Sequence, residues 1–333
     1  MKLRHKINNL FDHTSKMDDS DLRILEVLQN DSRMSLTQIS EEIGFSRFAV
    51  KDRIQKLFED GVILGPRVVV NPLLVGFKRT VFFEFKTNPH EPWLAKLLEK
   101  TSECDLLDGI TGEYSLSARL RFKDDEHFSR ILKKIDTAMG GSYFKKYRVV
   151  NAIRTFKESD VSFGRAEQKI SELDRTDRAI LNILHGEANR ARGPFPASTV
   201  ELSRLLRETG VKISQPAVFN RLSRLQRSRV ILRQGIRVDY SKLGLNMKFL
   251  VRVKANPKAY DAVAEDSLAP MPEISDLYRT GEEYGLLAIL RVKGVSEFNS
   301  FLVRLYDSSD IIDTYTTLVM EERKNSPTFL AFE

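Results

Sequence analysis

The sequence predicts an α+β chain in which two winged helix-turn-helix domains alternate with two ferredoxin-like (βαββαβ) domains. Three observations predict it: the chain repeats itself at domain scale, each copy opens on three short helical patterns, and each copy closes on alternating strands and helices. The repeat is read first, because a missed repeat misassigns everything after it. MDDSDLRILEVLQND from Met17 matches LDRTDRAILNILHGE from Leu173 at an offset of about 156. SRFAVKDRIQKLFEDGVIL at 46–64 matches SQPAVFNRLSRLQRSRVIL at 214–232 at an offset of about 168. Asn88-Pro89 answers Asn256-Pro257, and ITGEYSLSARLRF answers YRTGEEYGLLAILRV. The growing offset places the largest insertion near 191–198. A period of about 160 residues is a domain-sized duplication rather than a solenoid.

The helical part of each copy is punctuated locally. Asp18 and Asp174 are expected caps for first helices whose apolar stripes run through Leu22, Ile24, Leu25 and Leu28, and through Ile180, Leu181 and Leu184. Ser35 to Gln38 and Ser198 to Glu201 have the spacing of capping boxes. The helices they open should end near Gly44 and Gly210. A third helix follows Ser46 or Ser214, with Val50, Ile54, Leu57 and Val218, Leu222, Leu225 at i, i+4, i+7. VILGPRVVV and VILRQGIRV read as wings, each folding back as a hairpin. The remainder of each copy reads strand, helix, strand, strand, helix, strand, the split βαβ order. In it Phe82, Phe83, Phe85 and Trp93 are expected in the core. The expected segments are a basic tail 1–16, helix-turn-helix 17–72, ferredoxin-like 73–157, linker 158–172, helix-turn-helix 173–240, ferredoxin-like 241–326 and a tail 327–333.

Composition bounds the function. Of 333 residues 41% are apolar and 30% charged, which suits a globular chain with real cores. The basic N-terminus lacks an apolar signal region, no stretch suits a membrane span, and Cys104 is the only cysteine. A cytoplasmic protein without disulfides or membrane contact is the expectation. The histidines, at 5, 13, 90, 127 and 185, show no metal-ligand spacing, and no catalytic or cofactor fingerprint is present. No metal, cofactor or enzymatic activity is therefore expected.

The net charge is +7, and its distribution is uneven. Residues 173–239 carry 13 cations against 6 acids, 12 of the cations being arginine, whereas 17–71 carry 7 against 10. Three helices with a wing more often bind DNA than not; the plainer alternative is a dimerisation or protein-docking module. On the second recognition helix, Ser214, Gln215 and Asn220 are placed to meet base edges, with Arg221, Arg224 and Arg227 as a cationic stripe. The plainer alternative there is a solvated charged face, and ion pairing of those guanidinium groups with neighbouring carboxylates would undo the phosphate role. Arg233 and Arg237 in the wing, with Arg190 and Arg192 in the insertion, are further phosphate candidates. The first recognition helix offers Arg47, Lys51, Arg53 and Lys56, diluted by Asp52, Glu59 and Asp60. A weaker or more degenerate contact is expected from it; the alternative is that it serves mainly in protein contacts.

Both copies resemble the Lrp/AsnC family of feast-or-famine transcription regulators, across about 300 residues. The residues that carry this are the openings Met17-Asp18-Asp19-Ser20-Asp21 and Leu173-Asp174-Arg175-Thr176-Asp177, the Ser-initiated third helices, and the turns Thr111-Gly112-Glu113-Tyr114-Ser115 and Thr280-Gly281-Glu282-Glu283-Tyr284. The family's Asp after the turn is Ser115 in the first copy, and the second copy has one extra residue. The resemblance implies that the ferredoxin-like parts are RAM domains and that the partner is double-stranded DNA. It further implies a small-molecule effector, an amino acid or other metabolite, near Thr111, Gly112, Tyr114, Thr280, Gly281 and Tyr284. A tandem chain looks like an intramolecular pseudo-dimer or a protomer of a homo-oligomer joined through RAM domains. Siroheme decarboxylases are similar in architecture and carry histidines in a strand turn. This chain has Leu107-Asp108-Gly109-Ile110 and Ser275-Asp276-Leu277-Tyr278 there. That enzyme, and a DNA-silent metabolite sensor, are the alternatives.

Overall fold

The computed structural model describes residues 17–163, 172–186 and 193–325. Arg190, Arg192, the tails and most of the linker lie outside them. Contacts divide the chain into one unit built from residues up to 75 with 168–245, and a second built from 76–167 with 246–330.

The first unit holds α1 (Asp19–Asn30), α2 (Leu36–Ile43), α3 (Arg47–Glu59) and β1 (Ile63–Val70). The second unit's chain segments intervene, carrying β2 (Arg79–Lys86), α4 (Pro92–Lys100), β3 (Cys104–Ile110), β4 (Leu116–Phe122), α5 (Asp125–Gly140), β5 (Lys146–Glu158) and β6 (Val161–Ser162). The chain then returns to the first unit as α6 (Arg175–His185), α7 (Thr199–Glu208), α8 (Gln215–Arg227) and β7 (Ile231–Val238). It completes the second unit with β8 (Met247–Ala255), a short α9 (Tyr260–Ala262), β9 (Ile274–Thr280), β10 (Leu286–Val292), α10 (Val295–Leu305) and β11 (Ile311–Asn325).

The helices begin where local chemistry says they should. Asp18 and Asp174 each accept the backbone N–H three residues on, and Asp21 and Asp177 reach back to the cap. Ser35 with Gln38 and Ser198 with Glu201 close the same box, satisfying donors that a helix start leaves open. Gly44 ends α2 in the left-handed region at φ 84°, and Gly210 follows α7 with the same φ. Val50, Ile54 and Leu57, like Val218, Leu222 and Leu225, are buried.

The wings differ from expectation. Neither VILGPRVVV nor VILRQGIRV folds back as a hairpin; β1 and β7 pair with each other, antiparallel, over eight residues. Gly65 at φ +108° sits at a register shift in this ribbon rather than at a tight turn. A hairpin about Gly65 would leave only two or three residues per arm, whereas the mutual ribbon satisfies whole strands. The ribbon interlocks the two helical triplets. Ile236, Val238 and Leu243 enter the core formed by α1, α2 and α3. Ser32 N–H donates to Gln234 O at 2.8 Å, and a Cβ on Gly235 would stand 2.2 Å from Gln29 O.

In the second unit β5-β2-β4-β3 and β11-β8-β10-β9 are two antiparallel four-stranded runs, joined edge to edge by β3–β11 and β5–β9 pairing. Eight strands thus close on themselves, and β6 extends β5. Helices cover the outer faces: α4 and α5 over one run, and α10 with the segment before β9 over the other. The inner face mixes Phe82, Leu106, Leu250, Tyr278 and Ile289 with charged groups.

Three further expectations change. Trp93 is 40% exposed, unlike Phe82, Phe83 and Phe85, because α4 buries Leu94, Ala95 and Leu98 and its second residue falls on the other side. The first helix expected in the split βαβ of the second copy, between β8 and β9, is α9 followed by a π-helical Val263–Leu268, a wider coil that buries Val263, Ala264 and Leu268. Glu158, read as the first linker residue, ends β5 inside the closed sheet.

Candidate nucleic-acid interface and ligand turns

On α8 the serine cap and the apolar stripe fix the helix's rotation. Ser214 accepts the Ala217 N–H at 3.4 Å, so its hydroxyl is engaged as a cap. Gln215 is exposed and its Nε2 donates to Thr199 Oγ1 at 3.0 Å, which ties the start of α8 to α7. At about 100° per residue, Pro216, Asn220, Ser223 and Arg227 lie opposite Val218, Leu222 and Leu225. Arg227 is exposed and donates within its own helix to Ser223 O at 3.2 Å.

Arg221 and Arg224 are placed differently from the stripe expected of them. Arg221 Nη1 lies 2.6 Å from Asp174 Oδ2 and 2.9 Å from Asp177 Oδ1. Arg224 also pairs with Asp177, whose side chain is fully buried. A three-residue spacing walks about 60° per step, so Arg221 falls beside the buried stripe and over the cap of α6, and only Arg227 reaches the outward face. Burial pushes the Asp174 carboxyl up, but the Asp177 N–H and the Arg221 guanidinium outweigh it and hold it below the usual range. Arg224 is still 52% exposed. Arg221 is a clamp between the recognition helix and the first helix of its triplet.

The first triplet repeats the clamp. Arg53 Nη1 is 2.8 Å from Asp18 and 2.7 Å from Asp21, and the Asp21 bond leads the effects that raise the guanidinium's pKa. Arg47, Lys51 and Lys56 are exposed on α3. Arg233 and Arg237 lie in the ribbon opposite Val69 and Gly65, half-buried, and Arg237 donates to Leu64 O at 3.0 Å. Sequence reading missed both the carboxylate partners and two exposed aromatics on the recognition helices, Phe48 and Phe219. A phenylalanine off the Val50–Ile54–Leu57 stripe was the available signal for Phe48.

The two turns of the second unit each dock on the last strand of the other four-stranded run. Thr111 N–H donates to Leu318 O at 2.9 Å, and Gly281 N–H to Asn151 O at 3.3 Å. Gly112 has φ +102°, a region that favours glycine, whereas Gly281 lies outside it. The Tyr114 ring has the Arg148 guanidinium 5.5 Å and the Lys146 ammonium 5.7 Å from its centre. Thr280 donates to Tyr284 O at 3.0 Å, and Tyr284 donates to Asp313 at 2.6 Å, a bond that pushes the phenol up to about 12. Among the described residues no group of histidine, cysteine and carboxylates could hold a metal ion, and no helix is long and apolar enough to cross a membrane.

A helix-turn-helix unit with a ligand-binding α/β domain defines a class of regulator, and the comparisons give the family. Residues 17–57 match the AsnC-type helix-turn-helix domain, and 248–329 match the Lrp/AsnC ligand binding domain. A proline dehydrogenase transcriptional activator of Rhizobium radiobacter is 30% identical over 146 residues, covering 42% of this chain and 94% of that protein. An uncharacterized HTH-type transcriptional regulator of Pyrococcus abyssi is 30% identical over 149 residues, 44% of this chain and 96% of the other. The chain belongs to the Lrp/AsnC family. In fold, the siroheme decarboxylase NirDL, solved with an iron-uroporphyrin III analogue, is similar across 94% of this chain and 96% of its own. The TM-score is 0.64 and the identity 16%.

Proposed function

We propose that the chain is a sequence-specific, DNA-binding transcription regulator of the Lrp/AsnC type, and that its second helix-turn-helix makes the stronger DNA contact. The observation that carries this is the outward face of α8. Ser214 caps the helix, the Arg221 clamp sets its angle, and Asn220, Arg227 and the exposed edge of Arg224 are left facing away from the protein. Such a face meets base edges in the major groove with its early residues and phosphates with its later cations. Gln215 joins the base readers by releasing Thr199. Arg233 and Arg237 are ribbon contacts to phosphate, and Arg47, Lys51 and Lys56 are the weaker contacts of the first triplet. Arg53 serves through its clamp.

The two copies act as a covalent pseudo-dimer, alternating helix-turn-helix and RAM domains along the chain and pairing like with like in space. The paired β1–β7 ribbon and the closed eight-strand sheet support this arrangement. An effector near Thr111, Gly112, Tyr114, Thr280, Gly281 and Tyr284 would act by altering how the two halves meet, since each turn rests on the other half's last strand. Titration of promoter duplex at rising salt tests the reading. Six to ten phosphate contacts predict a loss of about 10³–10⁵ in affinity between 50 and 200 mM. A flat response, or no preference over random duplex, refutes it.

The whole-chain likeness to the siroheme decarboxylase favours one second reading, an enzyme of that kind. At the strand positions where such an enzyme would need histidine, Leu107 to Ile110 and Ser275 to Tyr278 lie in β3 and β9. Titrating iron-uroporphyrin into the purified chain separates the two: a saturable tetrapyrrole spectrum with loss of carboxyl groups would favour the enzyme.

A further inference from the structure

The two recognition helices share a scaffold and differ on the face they present. Val50, Ile54 and Leu57 of α3 answer Val218, Leu222 and Leu225 of α8, all buried. Ser46 and Ser214 are both caps, and Arg53 and Arg221 both clamp the acidic pair that opens the first helix of their triplet. The outward stripe keeps none of this likeness. Phe48 stands where α8 has Pro216, Asp52 where it has Asn220, Gln55 where it has Ser223, and Glu59 where it has Arg227. Beside the stripe, Lys51 of α3 stands where α8 has Phe219.

We propose that the two helices read unlike half-sites, so that the duplex bound by one chain is a non-palindromic composite. In it Phe48 packs on a thymine methyl, while Gln215 and Asn220 read the other half-site by hydrogen bonds. The proposal rests on the DNA-binding reading above and deepens it. A symmetric dimer presents the same reader twice and therefore selects a palindrome. One chain with two unlike readers imposes no such symmetry.

The chemistry of α3 narrows what it reads. Phe48, the second helical residue, is 81% exposed and points away from the apolar stripe. A phenyl ring offers no hydrogen bond, and the apolar feature of a base edge in the major groove is the thymine C5-methyl. Asp52 and Glu59 on the same stripe repel phosphates, so α3 gains little from the backbone and depends on such groove contacts. Most of the phosphate attraction comes from 173–239, where the sequence holds 13 cations against 6 acids. On α8 the exposed aromatic, Phe219, sits one helical turn later than Phe48 does on α3, so an apolar contact there falls at a different base step.

The test uses the full-length chain. Duplexes selected from a random library are sequenced, and each thymidine of the selected operator is then replaced by deoxyuridine, which removes only the methyl. Two unlike half-sites in one fixed orientation are expected. One deoxyuridine should weaken binding about fourfold, the worth of one buried carbon. Phe48→Ala should weaken binding at least as much on the thymidine operator and have little effect on the deoxyuridine one. Because Phe48 is exposed, the variant should melt with the parent, and the cycle itself cancels any general loss. A palindrome, a footprint restricted to one half-site, or indifference to every deoxyuridine overturns the proposal while leaving DNA binding in place. Failure to enrich any duplex ends the DNA-binding reading itself.

Discussion

Replacing Arg221 with alanine separates a clamp from a phosphate contact. The guanidinium makes charge-assisted hydrogen bonds to Asp174 at 2.6 Å and Asp177 at 2.9 Å. Such bonds contribute about 1.5–3 kcal/mol each when shielded. Asp174 is half exposed, so its share falls toward the surface value of below about 1 kcal/mol. Asp177 is fully buried but keeps Arg224, which limits the damage. About 2 kcal/mol of lost stability is the result, a fall in melting temperature of about 4–8 °C for a unit of this size. The slope of log affinity against log salt should stay unchanged once folding is accounted for. Arg227→Ala should do the reverse. That side chain bonds only within its own helix among the contacts described, so melting should hold while the slope falls by about 0.9. The assays are thermal melting and fluorescence-anisotropy titration at four salt concentrations. If Arg221→Ala lowers the slope by one charge and leaves melting untouched, the guanidinium abandons its carboxylates for phosphate in the complex and the clamp argument fails.

Gly235→Ala should destabilise by about 1–3 kcal/mol in urea unfolding, because its Cβ would meet Gln29 O at 2.2 Å and the ribbon must shift. Glu158 governs an acid-side transition. Burial pushes its carboxyl up, but Arg121 and Arg119 outweigh this and hold it at about 2. A depressed carboxyl stabilises above its unfolded pKa of about 4.3, and that contribution disappears as pH falls from there toward 2. Glu158→Gln should therefore flatten the stability profile between about pH 4 and pH 2, measured by denaturant midpoints at each pH. Buried Glu84 pairs with both Arg252 and Arg148, and removing the buried carboxylate of such a group costs about 3–5 kcal/mol. Glu84→Gln should approach that loss, while Glu84→Leu with Arg252→Met should recover most of it.

Signals that are local were legible in the sequence. The caps at Asp18 and Asp174, the capping boxes at Ser35 and Ser198, the glycine exits at 44 and 210, and the buried stripes of α3 and α8 all follow from neighbours within four residues. Pairings across long separations were not. β1 meets β7 across about 170 residues, and nothing in VILGPRVVV distinguishes a strand seeking a distant mate from a hairpin. Arg221 illustrates the same limit at the candidate site. Its spacing from Arg224 and Arg227 reads as one stripe, yet its carboxylates lie 44 and 47 residues earlier and capture it before DNA could. Glu158 looked like polar linker because the arginines that hold it, Arg119 and Arg121, are on a strand that sequence order places far away.

The charged interior of the second unit bears on why two such copies would be joined in one chain. Glu84 is the sixth residue of β2 and Arg252 the sixth of β8, equivalent places in the two four-stranded runs, and they bond to one another. Lys248 reaches Asp108 of the other half at 2.7 Å, and Arg119 reaches Tyr278 and Asp276. A pair of identical first halves would set Glu84 against Glu84, and a pair of identical second halves would set Arg252 against Arg252. The second leaves buried like charges uncompensated, a cost of several kcal/mol that the unlike pair avoids, whereas Glu84 keeps Arg148 of its own half at 2.6 Å. Complementarity of this kind can arise only where the halves are free to differ. The same freedom allows α3 and α8 to keep one scaffold and present different faces. On the pairing proposed here, the antiparallel β1–β7 ribbon fixes which reader stands on which side, giving the bound duplex a direction.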